Sequence, residues 1–287
     1  MKYMGENIIM IDFENVDCFE KMKSMENNSI NLIMTDPPYG ISFKGQTSNT
    51  DWDNMTDEEY SNFLFRLFFE FERILKDDGT IWLCCGRTKI PIVFDVLKKF
   101  DNLNLNLDNW LTYVRAKGRG SKNKLKSQCE EILHISKGKN YKWNSVEYLR
   151  EVVVPYIKDG KPRGWMIDQN TGMRVRWSGV GNALFFTSPF FKNKFEPQIH
   201  STQKPFLLWV ELLMISSDKD DVVFDPFSGS CSSGIACSVC GRNYIGCEID
   251  KDMYDKANEW LNNYDKELVK EYIGSRIRRN EETIFDL

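Results

Sequence analysis

Thr35-Asp36-Pro37-Pro38-Tyr39-Gly40 follows directly on the apolar run Ile30-Asn31-Leu32-Ile33-Met34. This order sets a carboxylate, two rigid prolines and an aromatic ring at the carboxyl end of a predicted buried strand, where doubly wound α/β folds do their chemistry. Each X-Pro step holds the preceding residue extended, so the carbonyls of the loop point in fixed directions. Asp36 and the Pro37 carbonyl then offer two acceptors beside the Tyr39 ring. That set suits a planar amine, with acceptors for its N–H groups and a face for stacking. A strand-end turn without chemistry would also use a Pro-Pro pair, so the rest of the chain has to decide.

A second group lies near the other end. Asp225-Pro226-Phe227-Ser228-Gly229-Ser230 follows the predicted strand at 222 to 224 and opens a run of small residues through Ala236. A strand, a tight glycine loop and a helix start bring backbone N–H groups close to the polar end of a bound molecule. Asn243 to Gly246 reads as the next strand and delivers Glu248, 248 − 225 = 23 residues after Asp225. An acid at about that interval meets ribose hydroxyls in Rossmann-like sites. The loop lacks G-x-G-x-x-G, which disfavours a dinucleotide, and no phosphate-loop pattern is present. A nucleoside without pyrophosphate fits, and S-adenosylmethionine is such a ligand.

The elements that must position these loops follow from periodicity. Short strands are expected at 7–11 and 30–35, around a helix near 18–25. Thr56 with Glu59 forms a capping box opening a helix to about Leu75, with Phe63, Leu67, Phe68, Phe71 and Ile74 on its apolar side and Lys76-Asp77-Asp78-Gly79 as its stop. Strands at 80–85, 110–115 and 131–136, a helix at 90–100, a helix begun by Lys204-Pro205, and C-terminal helices at 253–261 and 266–278 complete the pattern. The alternation predicts an α/β fold with a parallel, helix-covered sheet. Periodicity fades between roughly 140 and 190, where glycines and arginines suggest a loop-rich insertion.

At 287 residues and 41% hydrophobic content the chain can bury one substantial core and a smaller lobe. It has no twenty-residue apolar run and no basic-then-apolar leader, so no membrane association is expected and the cytoplasm is the expected location. Eight cysteines fit a reducing compartment. Cys237-x-x-Cys240 lacks a second close pair and the chain has only His134 and His200, so no metal is expected. The net charge of −4 conceals a basic run: Arg115, Lys117, Arg119, Lys122, Lys124 and Lys126, continued by Lys137, Lys139 and Lys142. With Gly118, Gly120 and Gly138 inside it and Trp143, Trp165 and Trp177 after it, the run has the makings of loops that follow a phosphate backbone; a solvated face is the alternative.

Together these residues resemble the amino-methyltransferases that act on DNA bases. TDPPYG at 35–40 matches their catalytic motif, VFDPFSGSCSSGIACSVCGRNYIGCEID at 223–250 their cofactor motif, and HSTQKP at 200–205 the lead-in to it. The catalytic loop precedes the cofactor loop, as in the beta arrangement of that family.

The resemblance implies a Rossmann-like, seven-stranded methyltransferase sheet. It implies a catalytic domain from residues 1–114 and 191–287 and a target-recognition region at 115–190. Asp36, Pro37, Pro38 and Tyr39 would hold a flipped base of double-stranded DNA. S-adenosylmethionine would be held by Asp36, Asp225, Phe227, Gly229, Ser230 and Glu248, with Thr202 and Lys204 near its methionine end and Asp17-Cys18 near its adenine. Val16 replaces the usual glycine before that pair, and Cys231-Ser232 stand where the family has Gly-Thr. The basic run to Lys126, with Arg163, Arg174 and Arg176, would meet DNA. N6-adenine is the implied target. N4-cytosine methylation and a non-catalytic DNA-binding regulator on the same fold are the alternatives. Phe43 and Trp52 are candidates for the same catalytic loop, with simple packing as the other reading. A homodimer, and a cognate restriction endonuclease encoded nearby without stable contact, also follow from the resemblance.

Overall fold

A computed structural model describes residues 9–41, 53–120, 122–123, 125–152, 156–159, 161–169, 172–186, 196–200, 202–279 and 282–283. In chain order the first half holds β1 (Ile11–Glu14), α1 (Cys18–Ser24), β2 (Ile30–Thr35), α2 (Asp57–Ile74), β3 (Leu75–Cys85), α3 (Ile90–Leu97), β4 (Leu105–Arg119) and β5 (Ser127–Lys137). Short strands follow: β6 (Glu147–Glu151), β7 (Ile157–Lys158), β8 (Lys161–Pro162), β9 (Met166–Ile167), β10 (Arg174–Ser178) and β11 (Ala183–Phe186). The chain continues with α4 (Phe206–Ser216), β12 (Val222–Asp225), α5 (Ser232–Cys240), β13 (Asn243–Cys247), α6 (Lys251–Asn263), α7 (Lys266–Gly274), β14 (Ile277–Arg279) and β15 (Glu282–Thr283).

The central sheet runs β1-β13-β12-β2-β3-β5-β4-β11. Its pairs are parallel except those of β5, which is antiparallel to both β3 and β4. From β2 the chain moves to its neighbour β3 on one side, and from β12 to its neighbour β13 on the other. The connections therefore leave in opposite directions and open a crevice at the carboxyl ends of β2 and β12. Among the described residues the sheet has eight strands, one more than expected, because β11 pairs with the outer edge of β4.

Local chemistry explains the long helix beside this crevice. Thr56 Oγ1 accepts from Glu59 N at 3.2 Å and Glu59 Oε2 accepts from Thr56 N at 2.8 Å, closing the expected capping box. Leu64, Leu67, Phe68, Phe71 and Ile74 are buried at three- and four-residue spacing against the sheet.

Several expected boundaries move. The first described strand is Ile11–Glu14, its register set by pairing with Tyr244 to Cys247; residues 7 and 8 of the expected 7–11 strand lie outside the described residues. Its acidic residues are tolerated at this edge because Lys21 Nζ binds Asp12 and Glu14, each at 2.8 Å. Helix α2 ends at Ile74 because Leu75 is already extended. Lys76 to Gly79 then forms an irregularity inside β3, where its pairing jumps from Ile30↔Leu75 to Leu32↔Thr80. Pro205 is the N-cap of α4, whose first residue is Phe206.

The described residues form two compact units, Met1–Trp143 with Asn182–Tyr264 and Asn144–Gly181 with Asp265–Leu287. This differs from a boundary at 114/115, because β4 and β5 are long hairpin partners inside the central sheet. The second unit combines the irregular segment with the C-terminal α7, and its sheet runs β15-β14-β6-β10-β9.

One core residue has a consequence for stability. His134 on β5 is fully buried, with the rings of Trp82, Tyr141 and Trp143 at 4.4, 5.0 and 5.5 Å and no hydrogen bond to either ring nitrogen among the described residues. Burial pushes its pKa down from 6.5 to about 4. The unfolded chain therefore takes the proton first, and stability that is whole above pH 6.5 drains away as pH falls toward 4. Between pH 7 and pH 4.5, His134 should contribute a loss of about 2.5 kcal/mol. Urea unfolding of wild type and His134→Phe at both pH values checks this; the same pH dependence in both proteins would contradict it.

Candidate active site

Four parallel strands end on one edge of the sheet, and their carboxyl ends carry the functional loops. β2 delivers Asp36, β12 ends in Asp225, β13 delivers Glu248 and β1 leads to Asp17. Between them lies a cavity of about 660 Å³. Asp17, Cys18, Asp36, Thr202 and Lys204 line it. So do Asp225, Phe227, Gly229, Ser230 and Glu248 across the crevice. Pro38 reaches the same wall, whereas Pro37 is buried and Tyr39 packs against Gly86.

Asp36 is held at both oxygens. Tyr39 Oη donates to Oδ1 at 2.5 Å, and Lys204 Nζ donates to Oδ2. Lys204 Nζ also lies 3.3 Å from Tyr39 Oη and 2.9 Å from Glu130 Oε2. Burial alone would lower the Lys204 pKa, but the carboxylates of Asp36 and Glu130 outweigh it and raise it, so the side chain is an ammonium. Burial, then the Asp36 charge, pushes the Tyr39 hydroxyl well up, so it remains a donor. The left-handed Gly40 closes the loop, and its N–H donates to Asp53 Oδ1 at 2.7 Å. Phe43 and Trp52 lie outside the described residues.

The opposite wall is built around two acids. Asp225 is buried; its Oδ2 accepts from Ser233 Oγ at 2.5 Å and its Oδ1 from Phe227 N at 3.1 Å. Burial outweighs those hydrogen bonds and lifts its pKa to about 7. Glu248 Oε2 accepts from Gly229 N at 2.9 Å and Oε1 from Asp250 N at 2.8 Å, while burial raises its pKa. The Gly229 N–H thus ties the glycine loop to the acid instead of facing the cavity. At φ +50° Gly229 occupies the left-handed region, where a Cβ would meet only the Phe227 carbonyl oxygen, at 4.0 Å. Cys231 is also left-handed, at φ +59°.

Side chains fold the 200–205 turn. Thr202 Oγ1 and His200 Nδ1 are 2.8 Å apart, and Gln203 Oε1 accepts from Ile199 N at 3.0 Å while its amide donates to Pro197 O at 3.0 Å. Glu196 Oε1 accepts from Phe206 N at 2.8 Å and caps α4. Asp17 caps α1, its Oδ1 accepting from Phe19 N at 2.9 Å.

Phe63, Arg66, Trp209 and Met253 also line the cavity and are missing from the residues expected to do so. The Phe63 ring packs at 5.9 Å from Phe227 and 6.1 Å from Phe19, and Arg66 covers Phe19 at 4.3 Å. Their helical spacing reads as core; the signal that separates Phe63 is its place in the second turn of the helix that follows the catalytic loop.

The basic residues separate. Arg115 is paired with Glu130 at 2.7 Å and with the Ser127 carbonyl at 3.1 Å, and its side chain is 17% exposed, so it is not a free phosphate contact. Lys137 is buried and caps the end of α2 through Glu72 O and Leu75 O, and Lys142 binds Asp218 and Asp221. Lys122 and Lys126 are exposed beside the β4–β5 connection, and Lys117 and Arg119 belong to β4. Lys124 lies outside the described residues. Arg163, Arg174 and Arg176 are exposed in the second unit, where Arg176 sits directly across from Arg150 and Arg174 lies over Trp165. Among the described residues no helix is long and apolar enough to cross a membrane, and no group of three His, Cys, Asp or Glu is placed to hold a metal ion.

A family model described as DNA methylase, N6_N4_Mtase, matches residues 30–259, spanning both loops and the turn between them. The chain belongs to this DNA methylase family. Type II methyltransferase M.HinfI of Haemophilus influenzae is 30% identical over 274 residues, covering 90% of this chain and 70% of that protein. Type II methyltransferase M.HpaI of Haemophilus parainfluenzae is 29% identical over 248 residues, 85% of this chain and 72% of that protein. Among solved structures, the PvuII DNA methyltransferase (cytosine-N4-specific) superposes with a TM-score of 0.62 at 18% identity, covering 91% of this chain and 90% of that one. The M1.HpyAVI–SAM complex superposes with a TM-score of 0.57 at 20% identity, covering 88% of this chain and 100% of that one. As a DNA methylase, the protein uses S-adenosylmethionine. The cavity fits that cofactor in size, in its aromatic wall around Phe63 and Phe227, and in carboxylates suited to hydroxyl and ammonium groups.

Proposed function

We propose that this DNA methylase transfers the methyl group to the N6 amine of adenine in duplex DNA, at a specific sequence, after the base is flipped from the stack. The observation that carries this reading is the placement of Asp36 at the carboxyl end of β2, facing the same cavity as Asp225 and Glu248. The catalytic loop before the cofactor loop fits the beta arrangement.

Bound S-adenosylmethionine supplies a methyl carbon already activated by its sulfonium. The remaining work belongs to the chain. Glu248 receives the ribose hydroxyls, and Asp225, with its carboxyl pushed up by burial, gains a cationic partner in the cofactor's ammonium. Asp36 and the Pro37 carbonyl accept the two N–H groups of the amine, favouring its pyramidal, nucleophilic form. Tyr39 replaces part of the lost stacking. Direct transfer then requires positioning within about 3 to 3.5 Å and no covalent intermediate on the enzyme.

Residues 115–190 are the proposed target-recognition region, and the β4–β5 connection is the part of it that carries Lys122 and Lys126. Reversing charge at Lys122 and Lys126 should weaken DNA binding and flatten its dependence on log salt by about two. Fluorescence anisotropy across a salt series measures this; an unchanged slope would place these lysines on an idle face.

N4-cytosine methylation uses the same geometry, and the cytosine-N4-specific fold relative keeps it as the alternative. The intact acids argue against a non-catalytic regulator. Self-association, a cytoplasmic location and a restriction endonuclease partner without stable contact belong to the same reading. Expression in a host free of DNA methylation, followed by sequencing that detects modified bases, tests the proposal. Modified adenines within one short sequence are expected; modified cytosines would select the alternative.

A further inference from the structure

Four charges of alternating sign run from the catalytic side of the cavity into the protein behind it: Asp36 and Lys204, which line the cavity, then Glu130 and Arg115. They come from the end of β2, the turn before α4, β5 and β4. Lys204 Nζ donates to Asp36 Oδ2 and lies 2.9 Å from Glu130 Oε2, and Arg115 Nη1 lies 2.7 Å from Glu130 Oε1. The Lys204 side chain is only 5% exposed. Glu130 does not line the cavity and lies outside all three matching motifs.

This arrangement bears on how Asp36 can receive an amine. Its Oδ1 already accepts from Tyr39 and its Oδ2 from Lys204. A carboxylate neutralised by a buried ammonium is a weak acceptor, so the strongest contact with the amine requires Lys204 to move off Oδ2. A buried ammonium that left one carboxylate without reaching another would be an uncompensated charge, which is strongly unfavourable. Glu130, already in contact on the far side, removes that obstacle, and Arg115 holds Glu130 in place.

We propose that Glu130 is a positioning residue for methyl transfer, taking the Lys204 ammonium when Asp36 Oδ2 is released to the incoming amine. Lys204 thus alternates between two carboxylates, and Glu130 acts on the reaction only through it. This rests on the methyl-transfer reading above.

Glu130→Gln keeps the shape and removes the charge. Single-turnover methylation at saturating DNA and cofactor should fall on the order of ten- to a hundredfold, the scale of a small misplacement at the reacting centre. Cofactor and DNA dissociation constants should stay within about threefold. Glu130→Asp, which keeps the charge, should recover part of the rate. In a Lys204→Gln background, with no ammonium to hold, Glu130→Gln should cause no further loss.

A full rate in Glu130→Gln would overturn the proposal, as would the same fold-loss in both backgrounds. Should Glu130→Gln not fold, Glu130→Asp read in both backgrounds decides the same question. If the wild-type protein methylates nothing under these conditions, the methyl-transfer reading fails and takes this one with it. An active wild type with an unaffected Glu130→Gln fails this inference alone.

Discussion

Asp36→Ala should lower the rate of methyl transfer on the order of a thousandfold, the scale seen when a group aimed at developing charge is removed. The substitution takes away the acceptor at the carboxyl end of β2 and with it the anchors of Tyr39 Oη and Lys204 Nζ. It leaves the opposite wall intact. Asp225 keeps Ser233 and Phe227 N, and Glu248 keeps Gly229 N and Asp250 N. Lys204 retains Glu130, so no buried ammonium is stranded and the fold should survive. Cofactor binding by calorimetry should therefore remain within about threefold of wild type while product formation collapses. Asp36→Asn should fall between the two, since its amide offers an oxygen without the charge. A variant keeping more than about half the wild-type rate would remove Asp36 from the chemistry.

Glu248→Ala should act on the other ligand. In the proposed site its two oxygens meet the ribose hydroxyls while holding the N–H groups of Gly229 and Asp250. Hydrogen bonds to a charged group contribute about 1.5 to 3 kcal/mol each, so the cofactor dissociation constant should rise on the order of a hundredfold. The loosened glycine loop adds to the effect. At saturating cofactor much of the rate should return, which separates this residue from Asp36. An unchanged dissociation constant would contradict the assignment of the pocket.

Both loops were legible in the sequence because their requirements are local. Two prolines fix a backbone path, a glycine permits a left-handed turn, and each follows an apolar run that can only be a buried strand. Helix α2 was legible for the same reason, through Thr56 and Glu59 three residues apart. What escaped depends on partners distant in the chain. Lys137 and Arg115 belong to one basic run in sequence, yet β5 carries Lys137 under the end of α2 and pairing with β4 brings Glu130 to Arg115. β11 is a strand only because β4 leaves an edge for it. The C-terminal helix α7 carries no signal that it belongs with the irregular segment; that follows from β14 pairing with β6. Phe63 has the spacing of a core residue and becomes part of the cavity wall only because α2 starts beside the crevice.

The central claim is transfer of a methyl group to the adenine amine through Asp36. Purified wild type and Asp36→Ala should be incubated with S-adenosylmethionine carrying a labelled methyl group and with unmethylated genomic DNA, which offers every short sequence. Nucleoside mass spectrometry then identifies the product. The expected result is labelled N6-methyladenine from the wild type and almost none from Asp36→Ala. Label in N4-methylcytosine would contradict the choice of base. Absence of any labelled base, from a protein shown by calorimetry to bind the cofactor, would contradict the function itself.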